Sequence, residues 1–302
     1  MNEFLQQLIN GLALGSIYAL LALGYTMVYG VLRFINFAHG DIFMLGAFMG
    51  FYLTPLVNQV FGAQSLGSAV VVLALSMLIC ATLGIIIEKL AYRPLRNKPK
   101  LAVLITAIGV SLFIEYVGQH QKVFTASPKT FPELIPSRNF QLGSVVLSSN
   151  ELIVLGLTVM LLLALEFIVQ KTRIGTAMRA VSFNASAAAL MGINLDVVIS
   201  FTFGLGSALA AAGGVLYAMK YPAIDPLMGI MPGLKAFTAA VLGGIGNIPG
   251  AALGGVVIGI VETFVGGSRW SSYRDAIAFA ILILILLFKP SGLLGKGETE
   301  KV

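Results

Sequence analysis

The chain has 302 residues, of which 58% are hydrophobic and 11% charged, with a mean hydropathy of +0.93 and a formal net charge of +6. Soluble domains are about 45–50% apolar, so this composition excludes a water-soluble globule and describes an integral membrane protein. The basic residues fall in short intervals between apolar runs with no interleaved aromatic patch, which argues against a nucleic-acid partner, and Cys80 as the single cysteine rules out an internal disulfide.

A bilayer core takes about 20 apolar residues per helix. The first span is residues 4–32: no Lys or Arg precedes it and it outlasts a signal-peptide core, so it is retained. Its length predicts tilt or a break, and Gly11 and Gly15 form a face that another helix can approach closely. Arg33-Phe-Ile-Asn36-Phe-Ala-His39-Gly40-Asp41 then interrupts two apolar segments with polar groups. The second span, 42–57, is short, so the break is expected partly at membrane depth. The third, 66–91, ends in Glu88 and Lys89 before a basic turn with Arg93, Arg96, Lys98 and Lys100, which the positive-inside bias places in the cytoplasm.

The fourth span, 101–117, leads into residues 118–150, a long polar interval in which Pro128, Pro132 and Pro136 prevent continuous helix. Parity puts this loop outside, as a surface for an external solute-binding protein or as a connector without a partner. After a fifth span, 152–169, residues 171–196 are too polar to cross, and Lys171, Arg173 and Arg179 place them inside. Helix formers at 177–180 and 185–191 flank Asn184, and Gly192 follows where a C-cap belongs, so two short helices are expected at the membrane surface. The sixth span, 197–219, carries Gly204, Gly206, Gly213 and Gly214 and is expected inside a bundle.

Residues 233–246 are apolar but too short for a straightforward span, Asn247-Ile-Pro-Gly250 breaks them, and 251–265 resumes. Whether 233–249 spans or re-enters stays open, but backbone groups released there must be satisfied by protein or water. The last span is 276–288, with Lys289, Lys296 and Lys301 inside. The expected fold is a single all-α polytopic membrane domain, 1–302. It has about eight transmembrane helices, broken or re-entrant segments near 33–41 and 243–250, and a cytoplasmic helix pair. With the N-terminus outside and the C-terminus inside, twelve of the 19 Lys and Arg residues fall inside and seven, Lys235 among them, outside.

Catalytic and metal chemistry have no foothold. There is no Gly-x-Ser-x-Gly, only two histidines, and Gly292-Leu-Leu-Gly295-Lys296 has the wrong spacing for a phosphate loop. Ionisable residues at membrane depth are functional suspects: Asp41, Glu88, Glu115, Glu166 and Glu262. Glu88 and Glu166 lie near basic loops, where ion pairing and snorkelling explain them. Asn36, His39 and Asp41 either line or gate a route or cap helix ends at the break. No chain of acidic residues suits a proton relay.

Residues 186–192, two alanines followed after three residues by Gly192, resemble the EAA loop of ABC importer permeases, with Ser186 where the general motif has Glu. Gly175, Arg179-Ala180, Asn184, Gly192-Ile193, Asn36-Phe-Ala-His-Gly-Asp41 and Leu242-Gly-Gly-Ile-Gly-Asn-Ile-Pro-Gly250 together resemble the H-type permease subunit of branched-chain amino-acid ABC importers over nearly the whole chain. The resemblance implies that 171–196 couples to an ATPase through Arg173, Gly175, Arg179, Asn184, Ala187, Ala188 and Gly192. The polar groups at the two breaks make Asn36, His39, Asp41, Gly246 and Asn247 the candidates for a pathway. The implied partners are a second related permease, two ABC ATPases that bind ATP and Mg so that this chain holds no cofactor, membrane lipid, and a periplasmic or extracellular binding protein. The implied location is the bacterial inner membrane. An apolar pathway suits leucine, isoleucine or valine; urea or short amides also fit, and a non-transporting scaffold is the competing class. The two breaks, in roughly corresponding positions, point to an internal repeat with a pathway between its halves.

Overall fold

Hydrocarbon offers no hydrogen bonds to a peptide group, so runs this apolar must satisfy their backbones internally as helices. The computed structural model describes residues 2–96, 98–143 and 145–295; the expected inner positions of Lys296 and Lys301 lie outside the described residues. The described residues form α1 (Asn2–Leu32), α2 (His39–Phe61), α3 (Leu66–Ile87), α4 (Lys100–Gln119), α5 (Ser149–Lys171), α6 (Arg173–Phe183), α7 (Ala185–Leu190), α8 (Leu195–Lys220), α9 (Ile230–Gly243), α10 (Ile248–Gly266) and α11 (Arg274–Phe288). Among the described residues, eight helices are long and apolar enough to cross a membrane, the third continuing through a π-turn, Glu88–Tyr92, and a 3-10 turn, Arg93–Leu95. Polar caps extend the helices past their apolar runs: Ser148 and Glu151 form a reciprocal capping box that starts α5.

The centre of the bundle is α1, buried nearly all round, against α8 and α10. Its small-residue face does what the spacing predicts. A Cβ on Gly15 would lie 2.7 Å from the Val256 Cα, one on Gly255 2.4 Å from the Ala19 N, and one on Gly259 2.2 Å from the Gly15 Cα. The two backbones touch, as small residues allow in a membrane where packing and not hydrophobicity drives association. Helices α3, α4, α5 and α11 form the apolar periphery.

The topology corrects one expectation. Eight full crossings would return both ends to the same face, contrary to an N-terminus outside and a C-terminus inside. The short α9, 14 residues or about 21 Å, supplies the missing pass. It follows β4 (Ala223–Ile224), on the face that carries the 118–150 loop. It ends in the turn 244–247, whose Gly246 lies near Gly30 at the far end of α1. Helix α10 then runs back until Gly267 sits beside Gln7 at the start of α1. The segment 233–249 therefore spans as part of a tight helical hairpin, and the termini lie on opposite faces.

The outer loop is more ordered than its prolines suggest. It contains β1 (Lys129–Thr130) and the hairpin of β2 (Asn139–Leu142) and β3 (Val145–Ser148), with Asn139 opposite Ser148 and Leu142 opposite Val145. Strand β1 pairs antiparallel with β4, Lys129 opposite Ile224 and Thr130 opposite Ala223. Gln6 clamps the hairpin to α1, donating to the Val146 carbonyl at 3.0 Å and accepting from its N–H at 2.9 Å. Phe124 stacks on Phe48 of α2 at 4.2 Å.

Replacing Gly259 with valine forces the α1–α10 contact apart and is expected to cost about 1–3 kcal/mol, read as a lowered Tm of the purified chain in detergent. Gly156→Val is the control, because nothing lies within 4 Å of a Cβ there; equal Tm values for the two variants would dismiss the backbone contact as the organising one.

Candidate functional site

Three sets of residues stand out: the first break, a buried charge cluster near the outer end, and the basic helix pair on the opposite face.

At the first break, α1 ends at Arg33, whose φ of 54° is left-handed, and α2 begins well inside the bundle. A Cβ on Gly40 would lie 2.7 Å from the Gly229 carbonyl oxygen, and one on Gly24 2.2 Å from the His39 Nε2. Asn36, His39 and Asp41 are all buried, at 2%, 1% and 3% exposure. The Tyr92 hydroxyl donates to the Asn36 Oδ1 at 2.6 Å, and the His39 Nε2 sits 3.2 Å from the Leu21 carbonyl with the Tyr25 ring edge-on at 4.7 Å. Asn36 and His39 thus pin the break to α3 and α1. No side chain caps α2, whose N-cap position is Ala38, so the capping alternative fails for both. Asp41 lies in the first turn of α2, where a carboxylate suits the helix dipole. It faces Ser111 and Glu115 of α4, and its Oδ2 is buried with no hydrogen-bond partner among the described residues. Of the three, Asp41 alone has a buried acceptor atom without a partner among the described residues, which is costly away from water.

The second break differs in kind. Gly244 and Gly246 adopt φ of 101° and 95°. Asn247 caps α10, accepting from the Gly250 N–H at 2.9 Å and donating to the Leu294 carbonyl at 2.8 Å. The Leu293 and Leu294 N–H groups donate to the Leu242 and Gly243 carbonyls at 2.8 and 3.1 Å. The released backbone groups are met by protein, as expected, but at a face of the bundle and not at depth. Gly246 and Asn247 are brought nowhere near Asp41, so the two breaks are not structurally equivalent.

The buried charge cluster was hidden by chain position. Lys235, expected as an outer-loop cation, is 4% exposed within α9. Its Nζ lies 2.6 Å from the Glu262 Oε1 and 2.7 Å from the Asp275 Oδ1, and the Tyr18 hydroxyl donates to the Glu262 Oε2 at 2.9 Å. The network joins α1, α9, α10 and α11. A lone lysine in the apolar run of α9 was the available signal. Glu88, expected to pair near the basic turn, does so: it pairs with Arg96 and accepts from the Ser200 hydroxyl at 2.6 Å.

The helix pair forms as expected. Thr172 caps α6 through the Gly175 N–H at 3.1 Å, Asn184 caps α7 through the Ala187 N–H at 3.0 Å, and Gly192 closes it at φ 85°. Gly175 is required because a Cβ would lie 2.2 Å from the Ile168 carbonyl oxygen of α5. Arg179 turns back onto the end of α5, donating to the Val169 carbonyl and, at 3.2 Å, to the Gln170 Oε1. Met178, Val181 and Ala188 are buried against the bundle. Gly175, Arg179, Asn184 and Ala188 therefore mount the pair, while Arg173, Ala187 and Gly192 lie on its exposed side. Sequence reading missed the outward contact residues: Phe183, Leu190 and Met191 are 89%, 89% and 83% exposed. Three large apolar side chains are thus held in the open on a rigid, basic mount, the composition of a protein-binding anchor.

Residues 7–286 match the family model described as branched-chain amino acid transport system / permease component. The chain is 42% identical over 306 residues to the high-affinity branched-chain amino acid transport system permease protein BraD of Pseudomonas aeruginosa, covering 99% of this chain and 98% of that protein. It is 42% identical over 303 residues to the corresponding permease protein LivH of Escherichia coli K12, with the same coverage. With LivH of Salmonella typhimurium the identity is 41% over 304 residues.

Removing one member of the buried charge cluster strands the rest. Lys235→Met is expected to cost about 3–5 kcal/mol, and Lys235→Met/Glu262→Gln to recover part of that loss, measured by denaturant unfolding in detergent micelles. Equal stabilities for both variants and the unaltered chain would reduce the cluster to a bystander.

Proposed function

The chain belongs to the family of permease components of branched-chain amino-acid transport systems, and from that premise we propose that it is the membrane-spanning half of an ATP-driven importer carrying leucine, isoleucine and valine. The observation that carries this reading is the α6–α7 pair, which is locked to α5 by Gly175 and Arg179 and presents Phe183, Leu190 and Met191 outward. A force applied at that apolar tip is delivered to α5 and α8 without passing through a flexible linker, which is what a separate ATPase needs in order to work on a membrane domain.

In this reading the working unit contains a second related permease and two ATPase subunits, which bind ATP and Mg. An external binding protein delivers the amino acid to the face formed by residues 118–150. The chain lies in the bacterial inner membrane with its N-terminus outside and α6–α7 in the cytoplasm, as the positive-inside bias favours. Asp41 is the pathway residue, since its unused Oδ2 is suited to a substrate ammonium group. Asn36 and His39 hold the break that positions it.

The deciding measurement is uptake of labelled leucine by vesicles carrying this chain with its ATPase, permease and binding-protein partners, with urea as competitor. Saturable, ATP-dependent uptake insensitive to urea is expected; uptake of urea in its place would overturn the substrate. Phe183→Ala/Leu190→Ala should weaken ATPase association by about thirtyfold or more, the loss of two anchor side chains, and abolish uptake while the chain still inserts. Tight ATPase binding by that variant would remove the tip from the coupling role. Asp41→Asn should lower uptake without loss of assembly, and unchanged uptake would leave Asp41 a dipole-compensating residue only.

A further inference from the structure

A cavity of about 520 Å³ opens between the end of α1, the basic turn before α4, the start of α8 and the α6–α7 pair. Its polar wall contains Arg33, Arg96, Lys98, Lys100, Tyr92 and Ser182, and no carboxylate is among its lining residues. Arg96 is partly committed, pairing with Glu88 and with Asp196 at 2.6 Å. Lys98 and Lys100 are exposed and take part in no ion pair among the described residues. The remaining wall is apolar: Leu32, Val103 and Ile199 come from the terminal turns of three spanning helices.

Cations and the apolar ends of spanning helices thus share one cavity, the combination met where a bilayer changes from headgroup to acyl chain. Basic pockets between membrane helices on the cytoplasmic side take anionic lipid headgroups, and guanidinium and ammonium groups are the usual partners of phosphate oxygens. We propose that this cavity binds a phosphate group, and that the apolar wall makes an anionic phospholipid of the inner leaflet its source. The inner-leaflet assignment rests on the orientation proposed above; the binding itself does not.

The position of the cavity gives occupancy a consequence. Tyr92 lines it and also holds Asn36 of the first break, while Ser182 and Asn184 belong to the α6–α7 pair. A phosphate seated there bridges the segment that receives force to the segment that positions Asp41. Bound anionic lipid therefore stiffens the connection between coupling pair and pathway.

Native mass spectrometry of the full-length chain in detergent, incubated with phosphatidylglycerol, phosphatidylcholine or inorganic phosphate, tests this without requiring transport. Retention of phosphatidylglycerol and not phosphatidylcholine is expected. Lys98→Gln/Lys100→Gln should weaken that retention by about tenfold or more, and Lys98→Arg/Lys100→Arg should preserve it. Both lysines are exposed, so neither variant is expected to disturb folding. Binding of inorganic phosphate without phosphatidylglycerol would keep the phosphate site and overturn the lipid source. Equal retention of both lipids, or retention unchanged in the glutamine variant, would overturn the site. Because leucine uptake is not the readout, either failure leaves the importer reading untouched, and failure of leucine uptake leaves this test intact.

Discussion

The contact on which everything else hangs is the meeting of two backbones, α1 and α10, through Gly11, Gly15, Gly255 and Gly259. Lipid tails are as apolar as leucine, so helices gain nothing by hiding side chains from them, and close packing has to supply the association. Glycines facing glycines bring the axes within backbone contact. With α10 held there, α9 follows as its hairpin partner, and α1 is left surrounded. The same device recurs where α2 meets α8: a Cβ on Gly46 would lie 2.4 Å from the Ala211 Cα. A bundle built this way brings its central backbones together at small residues, while large side chains such as Ile17, Leu20 and Phe43 fill the space around those contacts and others face outward at the periphery.

Against that centre the buried polar groups divide by how completely they are satisfied. Lys235, Glu262, Asp275 and Tyr18 form a network in which each charge has an opposite partner. Asp41 has no cation beside it among the described ion pairs, and it faces a second carboxyl group on α4. Buried pairs of the first kind position helices, whereas Asp41 is met by Ser111 and Glu115 on one side and keeps its Oδ2 without a partner among the described residues. That contrast separates the residues that hold the bundle together from a carboxyl group left partly unmet, as is the Glu166 Oε2 on α5.

Much of this was legible in the residues. Run length identified the spanning helices, and the charges of Lys171, Arg173 and Arg179 with Asn184 and Gly192 located a surface helix pair whose caps form at those very positions. What composition cannot supply is depth. The two breaks look alike in sequence, polar or glycine-rich between apolar runs, yet one lies inside the bundle and the other is a surface turn sealed by Leu293 and Leu294. Lys235 reads as a loop charge because its partners Glu262 and Asp275 are distant in sequence, and only packing brings them together. Arg179 reads as a contact residue for a partner but is spent on the carbonyls at the end of α5. Phe183, Leu190 and Met191 escaped notice because exposed apolar residues are conspicuous only once exposure is known.

The pairing of β1 with β4 joins parts of the chain almost a hundred residues apart, the loop before α5 and the entry to α9. Two strands that share hydrogen bonds form a single plate. The loop before α5 and the entry to α9 are thereby one piece, and α9 carries Lys235, whose ion pairs and their Tyr18 contact reach α10, α11 and α1.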